Sequence, residues 1–399
     1  MSEWQDFVVE DIAAPGKNSL ATGPFGSSIS SKFFVAQGVP VIRGGNLSSE
    51  VGKRLNDEGL VFVSTDKAEE FSRSIVSLGD LIFTCWGTIN QVGLIDNRAR
   101  HLKYVISNKQ MKLSVDHSKA HPLFLYYLFS SPEKQQEILN NGIGAAVPGF
   151  NLGQLRKMVI SLPKPDEQKA IAAVLNSLDE KIDLLHRQNT TLEAMSKTLF
   201  RHWFTEGPRN NWTERSLSHI ARFLNGLACQ KYLPENDLDK LPVLKIRELS
   251  GGISDNSDWA TNQVKSDYIV EAGDVIFAWS ASLMVKIWDG ERCVLNQHLF
   301  KVTSDQFPKW YYLLWCKHHL AEFISISSSH ATTMGHIKRG DLDAAMVLVP
   351  TAGELEEMST QMEPLLDKQI ANAKQMKSLE KLRDTLLPKV INGEVRVSF

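Results

Sequence analysis

From Leu162 to Phe204 the chain reads LPKPDEQKAIAAVLNSLDEKIDLLHRQNTTLEAMSKTLFRHWF, and after Pro165 no proline follows until Pro208. Leu175, Leu178, Ile182, Leu185, Asn189, Leu192, Ser196 and Leu199 are spaced alternately three and four. That is the heptad alternation of a coiled coil rather than of a globular surface helix. The pattern predicts one long helix, with Pro163 and Pro165 before its start and Asp166 as its cap. A polar residue in the seam, Asn189, costs stability but fixes register, because its amide must find a partner.

A seam needs a second helix, and Leu355 to Leu387 supplies one. Met358, Met362, Leu366, Ile370, Ala373, Met376, Leu379, Leu382 and Leu386 recur every three or four places. The two helical segments match at a separation of about 187 residues: Leu162-Pro163 against Val349-Pro350, Ile182 against Ile370, Leu192-Glu193 against Leu379-Glu380. The echo extends upstream. Val41-Ile42-Arg43 to Asn46-Leu47, Gly79-Asp80-Leu81-Ile82-Phe83 and Ser107-Asn108-Lys109-Gln110 reappear in order as Val243-Leu244-Lys245 to Glu248-Leu249, Gly273-Asp274-Val275-Ile276-Phe277 and Leu295-Asn296-Gln297-His298. The order is therefore module, long helix, module, long helix.

These duplicated motifs, each followed by a long helix opening Leu-Pro, resemble the specificity subunit of Type I restriction-modification enzymes. Leu199-Phe200-Arg201-His202-Trp203-Phe204 is similar to that family's end of the first helix, and Leu386-Leu387-Pro388 to Gly393-Glu394-Val395 to its end of the second. One departure stands in the second repeat, where Gly353-Glu354-Leu355-Glu356 offers no clear counterpart of Glu167-Gln168. The resemblance implies an α+β chain with two similar α/β target-recognition modules separated by two long helices that form an antiparallel coiled coil, with an internal pseudo-two-fold repeat. The expected boundaries are residues 1–161 for the first target-recognition domain, 162–206 for the first spacer helix, 207–350 for the second domain and 351–399 for the second helix and tail.

By the same resemblance each module reads half of a bipartite double-stranded DNA site. The helices set the spacer and dock two methyltransferase subunits that use S-adenosylmethionine. An endonuclease and translocase subunit supplies ATP- and magnesium-dependent cleavage, and this chain carries no cofactor of its own. A helix of forty residues spans roughly 60 Å at ~1.5 Å per residue, which fits two half-sites more than one helical turn apart. Two other classes remain open: a stand-alone DNA-binding regulator, which should bind its site tightly alone, and a helical protein-binding scaffold, which should lack salt-dependent DNA affinity.

Candidate DNA contacts fall in loops that follow short strands. Gly23 to Ser28 is a turn-rich loop whose Ser27 and Ser28 can approach a phosphate, or simply close the turn. Arg43 can pair with guanine O6 and N7, and Asn90 or Gln91 with adenine N6 and N7; Asn46 and Thr88 share these loops. Each is equally readable as a solvated or turn-stabilising group. Arg98 and Lys103 belong to a basic cluster before a strand at Tyr104 to Ser107, either phosphate-facing or a solvated hairpin tip. In the second module Lys245 and Arg247 take the place of Arg43, and Ser280 and Ser282 lie in the loop matching that of Trp86. Lys338 and Arg339 follow the loop matching Gly142 to Asn151. Trp86 and Trp279 are read as closing the core beneath a strand in preference to stacking on bases. Asp116 to Asn141 is expected to be helical.

Charge does not announce a nucleic-acid binder: the net charge is −2, with 44 Lys and Arg against 46 Asp and Glu. Acids on the helices, such as Asp179, Glu180, Glu356 and Glu357, offset bases in the modules, and binding needs only a local basic stripe. Catalytic signatures are missing. No Gly-x-Ser-x-Gly, His-Glu-x-x-His or Rossmann glycine pattern occurs, nor the Asn/Asp-Pro-Pro-Tyr/Phe of adenine methyltransferases. Pro165-Asp166-Glu167-Gln168-Lys169 opens a helix, where acids favour the dipole. Cys85, Cys229, Cys293 and Cys316 stand far apart and read as reduced thiols of a cytoplasmic protein. No window is apolar enough for a membrane span, and Met1 to Asp6 lacks the regions of a signal peptide.

Overall fold

The computed structural model describes residues 4–144, 148–329 and 335–397. The chain divides into two compact units, residues 1–180 with 380–399, and residues 181–379. Each unit therefore contains one module together with the stretches of the two long helices packed on it.

In the first unit Gln5–Val8 pairs antiparallel with Val159–Leu162, which closes the module at the foot of the first long helix. A four-stranded sheet runs in the order Leu20–Thr22, Gln110–Leu113, Leu81–Thr84, Val92–Leu94. A five-stranded sheet runs Phe34–Val35, Val61–Val63, Val39–Ile42, Lys103–Ile106, Ile75–Ser77. The expected helix from Asp116 to Asn141 is two helices, Pro122–Ser130 and Pro132–Asn140. Pro132 disfavours a helical conformation at Ser131, which is extended and caps the second helix by accepting from the Lys134 amide.

The second unit repeats this plan. Thr213–Ser216 pairs with Met346–Val349. A four-stranded sheet runs Arg222–Asn225, Leu299–Thr303, Val275–Ala278, Met284–Ile287, and another runs Trp259–Thr261, Lys240–Leu244, Cys293–Leu295, Ile269–Val270. In both modules the Gly-Asp-x-Ile-Phe motif forms an inner strand, with Phe83 and Phe277 fully buried.

The long helices span Pro165–Arg201 and Ala352–Ile391. In the first unit Ile171, Ala172 and Leu175 join a core with Leu387, Val390 and Ile391. In the second, Ile182 and Leu185 pack with Met376, while Phe200 and Phe204 share a core with Met358, Met362 and Leu366. Rising numbers on one helix meet falling numbers on the other, so the pair is antiparallel. Asn189 finds its partner as the sequence requires: its Oδ1 accepts from Asn372 Nδ2 at 3.0 Å and its Nδ2 donates to Gln369 O at 3.1 Å.

Several details differ from the sequence reading. Leu162 belongs to a strand, and Pro165 occupies the first helical turn, so Asp166 lies inside that turn rather than capping it. Leu382 is half exposed, while Arg383 beside it is buried by an ion pair. At Arg201 the α-helix gives way to a π-helical turn, His202–Glu206, and Phe204 stays buried there, 5.3 Å from Trp212 between ring centroids. The second helix does have a counterpart of Glu167: Glu354 stands at the same position relative to the helix start. It accepts from Trp212 Nε1 at 2.9 Å, from Arg209 at 2.6 Å and from Thr351 Oγ1 at 2.7 Å.

Candidate nucleic-acid interface

In the first module Val39–Ile42 and Lys103–Ile106 run parallel, with Val41 opposite Val105 and Ile42 opposite Ile106. Loops leaving the carboxyl ends of parallel neighbours emerge on one edge, and here they are Arg43 to Asn46 and Ser107 to Lys109. Leu81–Thr84 adds a third loop: the Cys85 amide donates to Lys109 O at 2.6 Å, Thr84 Oγ1 to Gln91 Oε1 at 3.1 Å, and Gln91 Nε2 to Leu47 O at 3.0 Å. The Gly23 to Ser28 loop is the fourth, tied by Gly23 N to Gln110 O at 2.9 Å and by Asn108 Nδ2 to Gly26 O at 3.2 Å. Fully buried Gln110 joins the strands beneath, donating to Ile42 O and accepting from Gly44 N when its amide is oriented to satisfy both ends.

On this edge Ser27, Arg43, Thr88, Lys109 and Trp86 are exposed. Arg43 donates to Gly59 O at 3.3 Å, and neither it nor Lys109 has an ion-pair partner among the described residues. Two cations with free charge beside polar loop groups can neutralise phosphates. Ser28 Oγ instead donates to Phe25 O at 2.7 Å, holding its own turn.

The second module has the same edge, from the parallel pairing of Val243 with Val294 and Leu244 with Leu295. An open cleft of about 660 Å³ lies here, lined among others by Gln230, Lys245, Arg247, Trp259, Gln297 and His298. Its cations are neutralised in place. Lys245 is paired with Asp258, a hydrogen bond and charge that hold the Asp258 carboxyl below its ordinary value. Arg247 donates to Glu248 Oε1 at 2.6 Å and to Asn256 O at 2.7 Å, and Glu248 is buried. Cys229, also in the cleft wall, has its thiol pushed up by burial and so stays protonated at neutral pH.

Residues 1–194 and 209–381 match the family of the Type I restriction modification DNA specificity domain. This chain belongs to that family. It is 25% identical over 386 residues to the Type I restriction enzyme MjaIX specificity subunit of Methanocaldococcus jannaschii, covering 89% of this chain and 88% of that protein. It is 18% identical over 374 residues to the Type I restriction enzyme HindI specificity subunit of Haemophilus influenzae, covering 73% and 81%. The crystal structure of the Type-I restriction-modification system S subunit from M. genitalium shares the fold, with a TM-score of 0.61 over 97% of this chain and 96% of that one at 14% identity.

In this specificity-family chain the sequence-predicted residues divide by position. Ser27, Arg43 and Thr88 come together on the first edge, and Asn90 lies in the same loop as Thr88, half-buried. Asn46 and Gln91 are corrected to structural roles. Asn46 is buried, accepting from Arg43 N at 3.0 Å and donating to Asn56 O at 3.0 Å, and Gln91 bridges two loops as described. Lys103 opens the Lys103–Ile106 strand, at the opposite end from Arg43, ~13 Å away at ~3.3 Å per residue, and Arg98 lies in the loop before it. Arg98 pairs there with Asp96 at 3.0 Å and donates to Gly52 O. In the second module Ser280 is buried against His298 Nδ1 at 3.1 Å, whereas Ser282, Lys338 and Arg339 are exposed. Lys338 and Arg339 directly follow Ile337, whose amide donates to Trp279 O at 3.1 Å. The stretches 145–147 and 330–334 of the two joining loops fall outside the described residues.

The tryptophans are not equivalent. Phe150 N donates to Cys85 O and Ile337 N to Trp279 O, so Cys85 and Trp279 share a position, and Trp86 matches Ser280. A one-residue shift on extended backbone reverses the face. Trp279 accordingly packs inward on Phe300, with ring centroids 5.6 Å apart, and donates to Asn225 Oδ1 at 3.1 Å. Trp86 points outward at 51% exposure, against the core expectation. The signal was present: extending the separation set by Gly79 and Gly273 pairs Trp86 with Ser280. Lys109 reaches this edge through its main-chain bond to Cys85, a position that His298 fills in the second module.

Proposed function

We propose that this chain is the DNA-specificity subunit of a Type I restriction-modification enzyme. Each module reads one half of a split duplex site, and the chain supplies the address while partners supply the chemistry. The observation that carries this reading is the duplication of one loop-bearing edge with different side chains: Arg43 and Lys109 without acid partners among the described residues and an exposed Trp86 on one copy, and a cleft with paired Lys245 and Arg247 on the other. A framework shared by the two modules, with different side chains at its tips, suits the reading of two different short sequences. In this reading two methyltransferase subunits dock on the long helices and use S-adenosylmethionine, and an ATP- and magnesium-dependent endonuclease and translocase subunit completes the complex.

The test is long-read detection of N6-methyladenine in the source genome with and without this gene. Loss of methylation at one split asymmetric motif is expected. If the native system is expressed and every methylated motif persists, the reading fails. Exchange of residues 1–160 for another homologue's module is expected to change one half-site and leave the other intact.

A further inference from the structure

Both modules carry the same backbone bridge at the reading edge but fill it from opposite sides. In the first, Trp86 is bridged to Gly149 and Gly87 N donates to Pro148 O at 3.1 Å. In the second, Ser280 is bridged to His336 and Ala281 N donates to Gly335 O at 2.8 Å. The large ring stands on one strand of the bridge in the first module and on the other strand in the second, each time opposite a small residue. Gly149 is needed for this: a Cβ there would lie 2.5 Å from Trp86 Cζ3 and within 3.0 Å of two further ring carbons.

The indole is thus backed by glycine main chain on one side and open on the other. It has no hydrogen-bond or ring partner among the described residues. Leaving so much apolar ring in water costs free energy that ordinary core packing would have recovered. The surroundings are those of a polyanion contact. Cys85, its chain neighbour, is bonded to Lys109 O, and Arg43 lies on the same edge, both cations being without acid partners.

We propose that Trp86 is the base-stacking contact of the first module, its indole entering the duplex at one base step of that module's half-site. This rests on the DNA-specificity reading above. The flanking cations hold the phosphates while the fixed backbone bridge presents the ring, so insertion requires little ordering of the protein. The second module lacks the device at this position, since Ser280 is buried, and the asymmetry predicts unstacking in one half-site only.

The experiment uses the assembled methyltransferase containing the full-length chain, on a duplex carrying its methylated site. The half-site read by the first module is assigned by the module exchange, and 2-aminopurine replaces its purines one at a time. Wild type is expected to raise the probe's fluorescence at one step. Trp86→Ala should abolish that rise and weaken binding about 5- to 150-fold, the range for loss of one base–aromatic stack, while Trp86→Phe retains part of both. Gly149→Ala, which keeps the indole but displaces it, should also lose the rise. Unchanged affinity in a folded Trp86→Ala assembly overturns the proposal and leaves the specificity reading standing. Weakened binding with no fluorescence rise at any step in wild type overturns insertion. A wild-type assembly that binds no DNA overturns both.

Discussion

Replacing Asp179 by alanine is expected to destabilise the first unit by about 3–5 kcal/mol, the usual consequence of removing one partner from a buried ion pair. Asp179 sits where both long helices meet the module. Its Oδ1 accepts from Arg383 Nη1 at 2.9 Å, its Oδ2 accepts from Tyr127 OH at 2.6 Å, and Arg54 Nη2 lies 3.8 Å away. The side chains of Asp179, Arg54 and Arg383 are 3%, 4% and 10% exposed, so water cannot replace the lost carboxylate. Arg54 keeps Asp96 at 2.5 Å and Asn176 at 2.5 Å, and Arg383 keeps Val51 O at 2.9 Å. These remaining bonds argue for the lower end of the range. Removing both ends together, as Asp179→Leu with Arg383→Met, leaves fewer unpaired charges and should cost less than the sum of the two single changes. Native-state hydrogen exchange at the core amides of Tyr126 to Phe129 reads the free energy of this unit. A single-mutant cost below about 1 kcal/mol, or strict additivity, would refute the idea that the cluster is a coupled buried network.

Asn189→Ala should cost about 0.5–1.5 kcal/mol by removing one of two acceptors of the buried Asn372 Nδ2, which keeps only the 3.3 Å bond to Gln188 Oε1, whereas leucine at both positions should recover the loss in thermal unfolding; a double variant as unstable as the single would sink this account. Glu354 is held at about 2, below its ordinary 4.5, first by the Thr351 hydroxyl and also by the Trp212 and Arg209 hydrogen bonds. Its stabilising contribution is therefore complete above about pH 4.5 and is lost as pH falls toward 2. Glu354→Gln should flatten that part of the acid-unfolding curve, and an unchanged curve would contradict the assignment. Gly226→Ala would set a Cβ 2.3 Å from Asn296 O at the second reading edge, and a cost of about 1–3 kcal/mol is expected. Its DNA defect should map to the second half-site in footprinting, and a defect in the first would show that the edges are not independent.

Much of the architecture was legible because it is periodic. Heptad spacing located both long helices to within a few residues of Pro165–Arg201 and Ala352–Ile391. The repeated Gly-Asp-x-Ile-Phe motif marked equivalent strands, whereas Ser107 to Gln110 and Leu295 to His298 prove to be one residue out of register, since Cys85 N donates to Lys109 O and Trp279 N to His298 O; Asn189 announced a polar partner that proved to be Asn372. Side-chain roles at the loops were not legible. Asn46 and Gln91 have the same chemistry whether they face a base or a carbonyl, and only the meeting of loops far apart in sequence gave them Asn56 O and Leu47 O. Arg98 reads as a free cation until Asp96 and Gly52 are brought beside it. Local spacing by itself determined the two long helices and the duplication, since these follow from backbone periodicity. Which cations stay unpaired, which amides are already satisfied and which tryptophan faces water were decided only by tertiary structure, because each depends on neighbours that the folded chain supplies.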